Sequence, residues 1–195
     1  FAPRCSNSLA AGVQLPPAPS GATSNKQDWS YNHVDDLAGM LRFEHDIAPN
    51  LTAYLKVGGR RSNFSGIDSL NMIVNSQGNL TVNGFSNASW AETINADVGA
   101  RAKVATGPVR HELAVSGTYN KIESGFNSVF GSPLFASNIY NPVGVPMPNS
   151  TGLTPPPMTS QTVLTSLGVM DALSMAQDRI QVIAGVRLQR VQASN

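Results

Sequence analysis

Apolar and polar residues alternate along most of this 195-residue chain. That period of two belongs to a β-strand with one greasy face and one wet face. In residues 93–106 (TINADVGARAKVAT), Ile94, Ala96, Val98, Ala100, Ala102 and Val104 are apolar, and Thr93, Asn95, Asp97, Arg101 and Lys103 lie between them. In residues 51–61, Leu51, Ala53, Leu55 and Val57 oppose Thr52, Tyr54, Lys56 and Arg60. Leu37, Leu41 and Phe43 oppose Arg42 and Glu44, and Leu113 and Val115 oppose Glu112, Ser116 and Thr118. Near the end, Ile180, Val182, Ala184, Val186 and Leu188 oppose Arg179, Gln181, Arg187 and Gln189. Residues 163–173 are less regular, because Asp171 falls in register with Leu167 and Val169; a bulge or a place at a membrane rim would each account for it. Helices are excluded by the spacing, by the glycines and by the small or β-branched greasy residues. About six strands are expected.

The connections narrow the choice. Residues 45–50, 106–110 and 174–179 make short turns, whereas 1–33, 62–91 and 123–161 are long and polar. Pro142, Pro146, Pro148 and Pro155, Pro156 and Pro157 forbid ladder pairing in the last of these. The middle stretch carries the makings of a hairpin, with residues 72–74 and 80–82 flanking Ser76, Gln77, Gly78 and Asn79. Strict alternation of short and long connections suits a bacterial outer-membrane barrel, with short periplasmic turns and long extracellular loops. Strands of ten or more residues also match the ~9–11 that cross a bilayer at a tilt. The fold expected is all-β, a partial antiparallel transmembrane β-barrel.

Charge and cysteine content exclude other classes. Thirteen Lys and Arg against twelve Asp and Glu leave +1, with no basic field for nucleic acid. Charged residues are 13% of the chain, about half the usual ~25%, yet the mean hydropathy is only −0.10 because uncharged polar residues fill in. The single cysteine, Cys5, excludes a disulfide within the chain; it is placed in an extracellular loop, with pairing to a cysteine elsewhere or a free thiol both open. No apolar run approaches the ~18 residues of a spanning helix, and no signal peptide is present. The chain begins at Phe1 without Met and stops at Asn195 inside a strand pattern, so it reads as a fragment.

Residues 37–61, including LAGMLRFEHD, TAYLKV and GGRR, resemble the barrel of TonB-dependent siderophore receptors of Gram-negative outer membranes. Residues 163–190 are similar to a later repeat of such barrels, where a strand bearing an Asp leads through a DR turn into GxR. The resemblance implies a 22-stranded barrel with an N-terminal plug and a TonB box. The plug is absent from these 195 residues, so all of residues 1–195 read as barrel.

Candidate site residues follow from the alternation and the loops. Arg42, Glu44, Lys56, Arg101, Lys103 and Arg187 would line the lumen, meeting plug carboxylates or an anionic ferric chelate. Arg60 is the ligand candidate among the cations, since its strand carries it toward the outer mouth. Trp29, Tyr31, Trp90, Phe126, Phe130, Phe135 and Tyr140 lie in loops or near strand ends. Of these Trp29, Tyr31, Trp90, Phe130 and Tyr140 are ligand candidates, and an interfacial aromatic girdle is the other reading. His33, His45 and His111 are too scattered for a metal site. The pairs Glu44 with Asp46 and Asp35 with Asp36 lack a nucleophile, so no enzyme is expected. Five Asn-x-Ser/Thr triplets, at Asn50, Asn63, Asn79, Asn87 and Asn149, match what such a composition yields by chance.

The resemblance implies an outer-membrane receptor that takes up ferric siderophores in a TonB-dependent manner. Its partners would be the ferric siderophore, the TonB-ExbB-ExbD complex through plug and TonB box, and outer-membrane lipid. No cofactor is expected, because iron travels as cargo inside the chelate. A surface-exposed or soluble β-sheet adhesin is the alternative.

Overall fold

A computed structural model describes residues 5–147, 149 and 153–195. Eight strands form one sheet: β1 (Cys5–Leu9), β2 (Tyr31–Ala48), β3 (Leu51–Ile73), β4 (Asn79–Thr106), β5 (Val109–Phe130), β6 (Phe135–Asn138), β7 (Met158–Met175) and β8 (Ile180–Ser194). The main path runs β1-β3-β4-β5-β7-β8, with β2 also paired to β3 and β6 to β4. The all-β expectation holds, and six of these strands are the long ones read from the alternation. The short turns fall within the expected segments, between Ala48 and Leu51, Thr106 and Val109, and Met175 and Ile180.

Two compact units are separable. The first comprises Phe1–Asp35, Asn63–Trp90 and Gly125–Pro157. Its core is Ile73, Leu80, Val82 and Ile139, with Val13, Phe135 and Val145 packed against it. The tip between β3 and β4 is a tight turn. Val74 N–H donates to Asn79 O at 2.9 Å, and Asn75 Oδ1 accepts from the backbone of Gln77 and Asn79, both at 3.1 Å. Gly78 has φ +76° there, and a Cβ on it would strike Ile139 and Tyr140. Only glycine meets both demands.

This unit revises the expected loops. Residues 62–73 and 79–91 are strand, so most of the expected 62–91 loop is the outer length of one hairpin. The anticipated 72–82 hairpin is therefore its tip. Residues 123–130 belong to β5, and 135–138 form β6, paired antiparallel from Asn79↔Asn138 to Val82↔Phe135. Cys5 falls in β1, which pairs parallel with Ser69–Ile73 of β3, so one pairing departs from the expected antiparallel pattern. These segments escape periodicity because strands polar on both sides, such as β1 at Asn7 and Ser8, carry no alternation.

The second unit comprises Asp36–Ser62, Ala91–Ser124 and Met158–Asn195. β7 and β8 pair without interruption from Gln161↔Ser194 to Met175↔Ile180. Asp171 sits opposite Ala184 in that ladder, so no bulge accounts for it. Leu37, Leu41 and Phe43 are 76%, 75% and 66% exposed, and Leu188 is 70% exposed. Nothing in the unit covers this apolar face.

Candidate functional site

The polar face of the second unit is a continuous charge network. Glu44 accepts from Arg42 at 2.8 Å and from Arg101. Lys56 meets Asp97 at 3.4 Å, and the Tyr54 hydroxyl donates to the same carboxylate at 3.3 Å. The Tyr54 ring lies under both Lys56, 5.0 Å from its centroid, and Arg101, 5.6 Å away. It can lie there because position 99 is glycine: a Cβ would come within 2.6 Å of the phenol oxygen. Arg60 contacts both oxygens of Asp36, at 3.1 and 3.0 Å, and Lys103 meets Glu112 at 3.4 Å. Arg187 is held differently, by the hydroxyls of Ser166 at 2.8 Å and Ser116 at 3.5 Å. The six lumen candidates thus join one polar surface, and Arg60 is engaged by Asp36.

The apolar face is bounded by two polar groups of residues. At one limit Arg61 pairs with Glu92 at 3.4 Å, and Glu123 accepts from Lys121 at 2.7 Å and from Gln161 at 2.6 Å. At the other, His111 Nδ1 lies 2.8 Å from Asp171, and its Nε2 lies 2.7 Å from the Thr106 hydroxyl. Between His111 and Lys121 the same face of β5 carries Leu113, Val115, Gly117 and Tyr119. Ten residues rise about 33 Å along a strand, or about 23 Å at a 45° tilt, close to the ~25 Å apolar band of outer-membrane barrels.

The aromatic ligand candidates all belong to the first unit, and Arg60 to the second. Trp29 Nε1 donates to Val145 O at 3.0 Å, Trp90 Nε1 to Pro156 O at 2.9 Å, and the Tyr140 hydroxyl to Pro17 O at 2.7 Å. These three brace proline-rich segments. Gln27, missed in the sequence, does the same from inside: Val145 N–H donates to its Oε1 at 2.8 Å, and it is 3% exposed. Gly125 lets the Trp90 indole lie flat, since a Cβ would overlap Trp90 Nε1 and Pro157 O. Tyr31 opens β2 and Phe130 closes β5; both rings are largely exposed, with Phe130 5.1 Å from Phe85. Phe135 packs on the core and Phe126 is exposed. No local motif marks these braces, because their carbonyl partners lie 66 to 123 residues away in the chain.

Among the described residues no group of three or more His, Cys, Asp or Glu is placed to hold a metal. No helix there is long and apolar enough to cross a membrane.

No family model matches the chain. It is similar to the ferrichrome receptor FcuA of Yersinia enterocolitica, 30% identical over 192 residues, covering 96% of this chain and 25% of that protein. The chain thus spans about a quarter of the length of this relative. Its fold is similar to that of BauA, the ferric preacinetobactin receptor of Acinetobacter baumannii. The TM-score is 0.79 at 28% identity, over 97% of this chain and 29% of that structure. The ferric-catecholate import receptor Fiu of E. coli K12 in its closed form has the same fold, with TM-score 0.68 at 17% identity over 93% of this chain and 28% of Fiu. The sheet described above is therefore a partial barrel of the kind found in siderophore receptors.

Proposed function

We propose that this chain is part of the barrel of a Gram-negative outer-membrane receptor that takes up a ferric siderophore with energy supplied through TonB. The observation that carries this reading is the match along nearly the whole chain, in sequence to one siderophore receptor and in fold to another. The two faces fit it. The uncovered apolar face, Leu37 to Leu188, meets lipid between its polar limits, and the charged network faces the lumen. An adhesin would bury the apolar face in a second layer.

In this reading the proline-rich segments of the first unit form the outer surface that captures the chelate. Tyr31 and Phe130 offer exposed ring surface for its apolar parts, while Trp29, Trp90 and Tyr140 hold the loops in shape. Iron is cargo, carried by the chelate's own ligands. The receptor's role is capture and passage, with no bond made or broken by the protein.

The test uses the full-length receptor in a Gram-negative strain stripped of its own siderophore receptors. Radiolabelled iron is offered in a panel of ferric siderophores, with and without TonB. Uptake of at least one chelate, lost when TonB is absent, is the expected result. Uptake of none, or uptake indifferent to TonB, would contradict the reading.

A further inference from the structure

Among the strand residues of the polar face, charge accounting leaves one cation without a carboxylate. Of the seven cations there, Arg42 and Arg101 share Glu44, Lys56 has Asp97, Arg60 has Asp36, Lys103 has Glu112 and Arg110 has Asp178. Among the described residues Arg187 touches only neutral hydroxyls, those of Ser166 and Ser116. Both are already tied into the sheet, because Ser166 also meets the Thr118 hydroxyl at 2.5 Å and Ser116 hydrogen-bonds Tyr54.

The geometry fixes the guanidinium without saturating it. Arg187 is paired with Gly168 across β7 and β8, and a Cβ on Gly168 would stand 3.4 Å from Arg187 Nε and 3.6 Å from Nη2. The guanidinium therefore lies along the bare backbone of β7. Ser166 and Ser116 accept two of its five N–H bonds, and the remaining donors stay open in a planar fork suited to a carboxylate. An arginine laid down, hydrogen-bonded and left unneutralised on a face where every other strand cation meets a carboxylate is a preformed anion site.

We propose that Arg187 receives a carboxylate from an Asp or Glu of the same receptor outside residues 1–195, locking β8 to that part of the protein. This rests on the chain being part of a longer receptor, as its coverage of a quarter of FcuA supports. Two sources share this chemistry: the strand that pairs with the free edge of β8, or a segment inside the barrel.

Carbodiimide coupling in membranes separates them. In full-length Arg187→Lys receptor, zero-length coupling should join the introduced amine to an Asp or Glu beyond residue 195 or before residue 1. The position of that residue, read by mass spectrometry, tells a neighbouring strand from an interior segment. Coupling of Lys56 to Asp97 and of Lys103 to Glu112 in the same sample reports an intact sheet. Those controls forming while position 187 couples to nothing, or only within residues 1–195, would overturn the proposal. Should the lysine variant fail to assemble, Arg187→Gln decides by thermal melting in detergent. A midpoint lowered further than in the double variant Ser116→Ala with Ser166→Ala, which removes only the hydroxyl partners, supports the lock, and a loss no larger than that overturns it. Neither readout depends on siderophore uptake, so the lock and the receptor reading can fail separately.

Discussion

His111 Nδ1 lies 2.8 Å from Asp171 Oδ2 on a face otherwise made of Leu113, Val115, Leu167 and Val169. Both side chains are half-buried, and the ladder through Asp171 is regular. The pair gives His111 Nδ1 and Asp171 Oδ2 a partner where the apolar band ends, while Asp171 Oδ1 has none among the described residues. His111→Leu should cost about 1–3 kcal/mol by leaving the carboxylate without its partner. The double variant His111→Leu with Asp171→Leu should regain most of that loss, since both polar groups are gone. Thermal or denaturant unfolding of the full-length receptor in detergent measures both; equal losses in single and double variants would dissolve the pairing argument.

Gly125 and Trp90 make a second coupled pair. Gly125→Ala should push the indole off Pro156 O and free the segment before Met158, so that protease cuts within residues 131–157 appear several-fold faster. Trp90→Phe keeps an aromatic ring but loses the N–H donor, at a cost of about 1 kcal/mol. Identical proteolysis of Gly125→Ala and wild type would remove Trp90 from the role of brace.

The exposed aromatic rings should matter for capture and the braces for loop order. Phe130→Ala should weaken ferric-siderophore binding about tenfold, equal to ~1.4 kcal/mol, with normal receptor abundance. Tyr140→Phe, which loses only the bond to Pro17 O, should weaken it less. Equilibrium binding to whole cells without TonB makes the comparison.

Turn chemistry predicts an acid dependence. Asp178, in the turn between β7 and β8, accepts a hydrogen bond from Arg110, which holds its carboxyl below the usual carboxylate range. A lowered folded value means the contribution is present above that range and fades as pH falls through the folded value. Unfolding of wild type should therefore ease as the pH drops below about 4, and Asp178→Asn should flatten that part of the slope. Ala176 and Gln177 in the same turn have φ of 53° and 56°, so glycine at either should be tolerated or stabilising.

The sequence made the faces legible where one side meets a uniform medium. Ile180 to Leu188 alternates because one side of β8 is greasy and the other wet, and the ladder keeps that register. Where loops cover a strand the rule fails: Ser69 and Asn71 are buried beside Ile67 and Ile73, so β3 beyond Ser62 reads as loop. Asp171 was ambiguous because its partner, His111, lies sixty residues away on another strand. Arg61 falls on the apolar side of β3 by the alternation, and what holds it there, the ion pair with Glu92 on β4, lies thirty-one residues away. The aromatics were visible as residues, but their roles as braces depend on carbonyl groups that no side-chain pattern marks.

The facing assignment is the central claim, and adjacent residues on β3 test it most directly. Lys56 points to the polar face, where Asp97 and the Tyr54 ring receive it, and Val57 points to the apolar face. An arginine facing lipid near the midplane costs about 2–4 kcal/mol. The measurement is the amount of heat-modifiable, folded receptor in outer membranes carrying Val57→Arg or Lys56→Arg in the full-length protein. The account predicts a severalfold loss for Val57→Arg and near wild-type levels for Lys56→Arg; equal assembly of the two would contradict it.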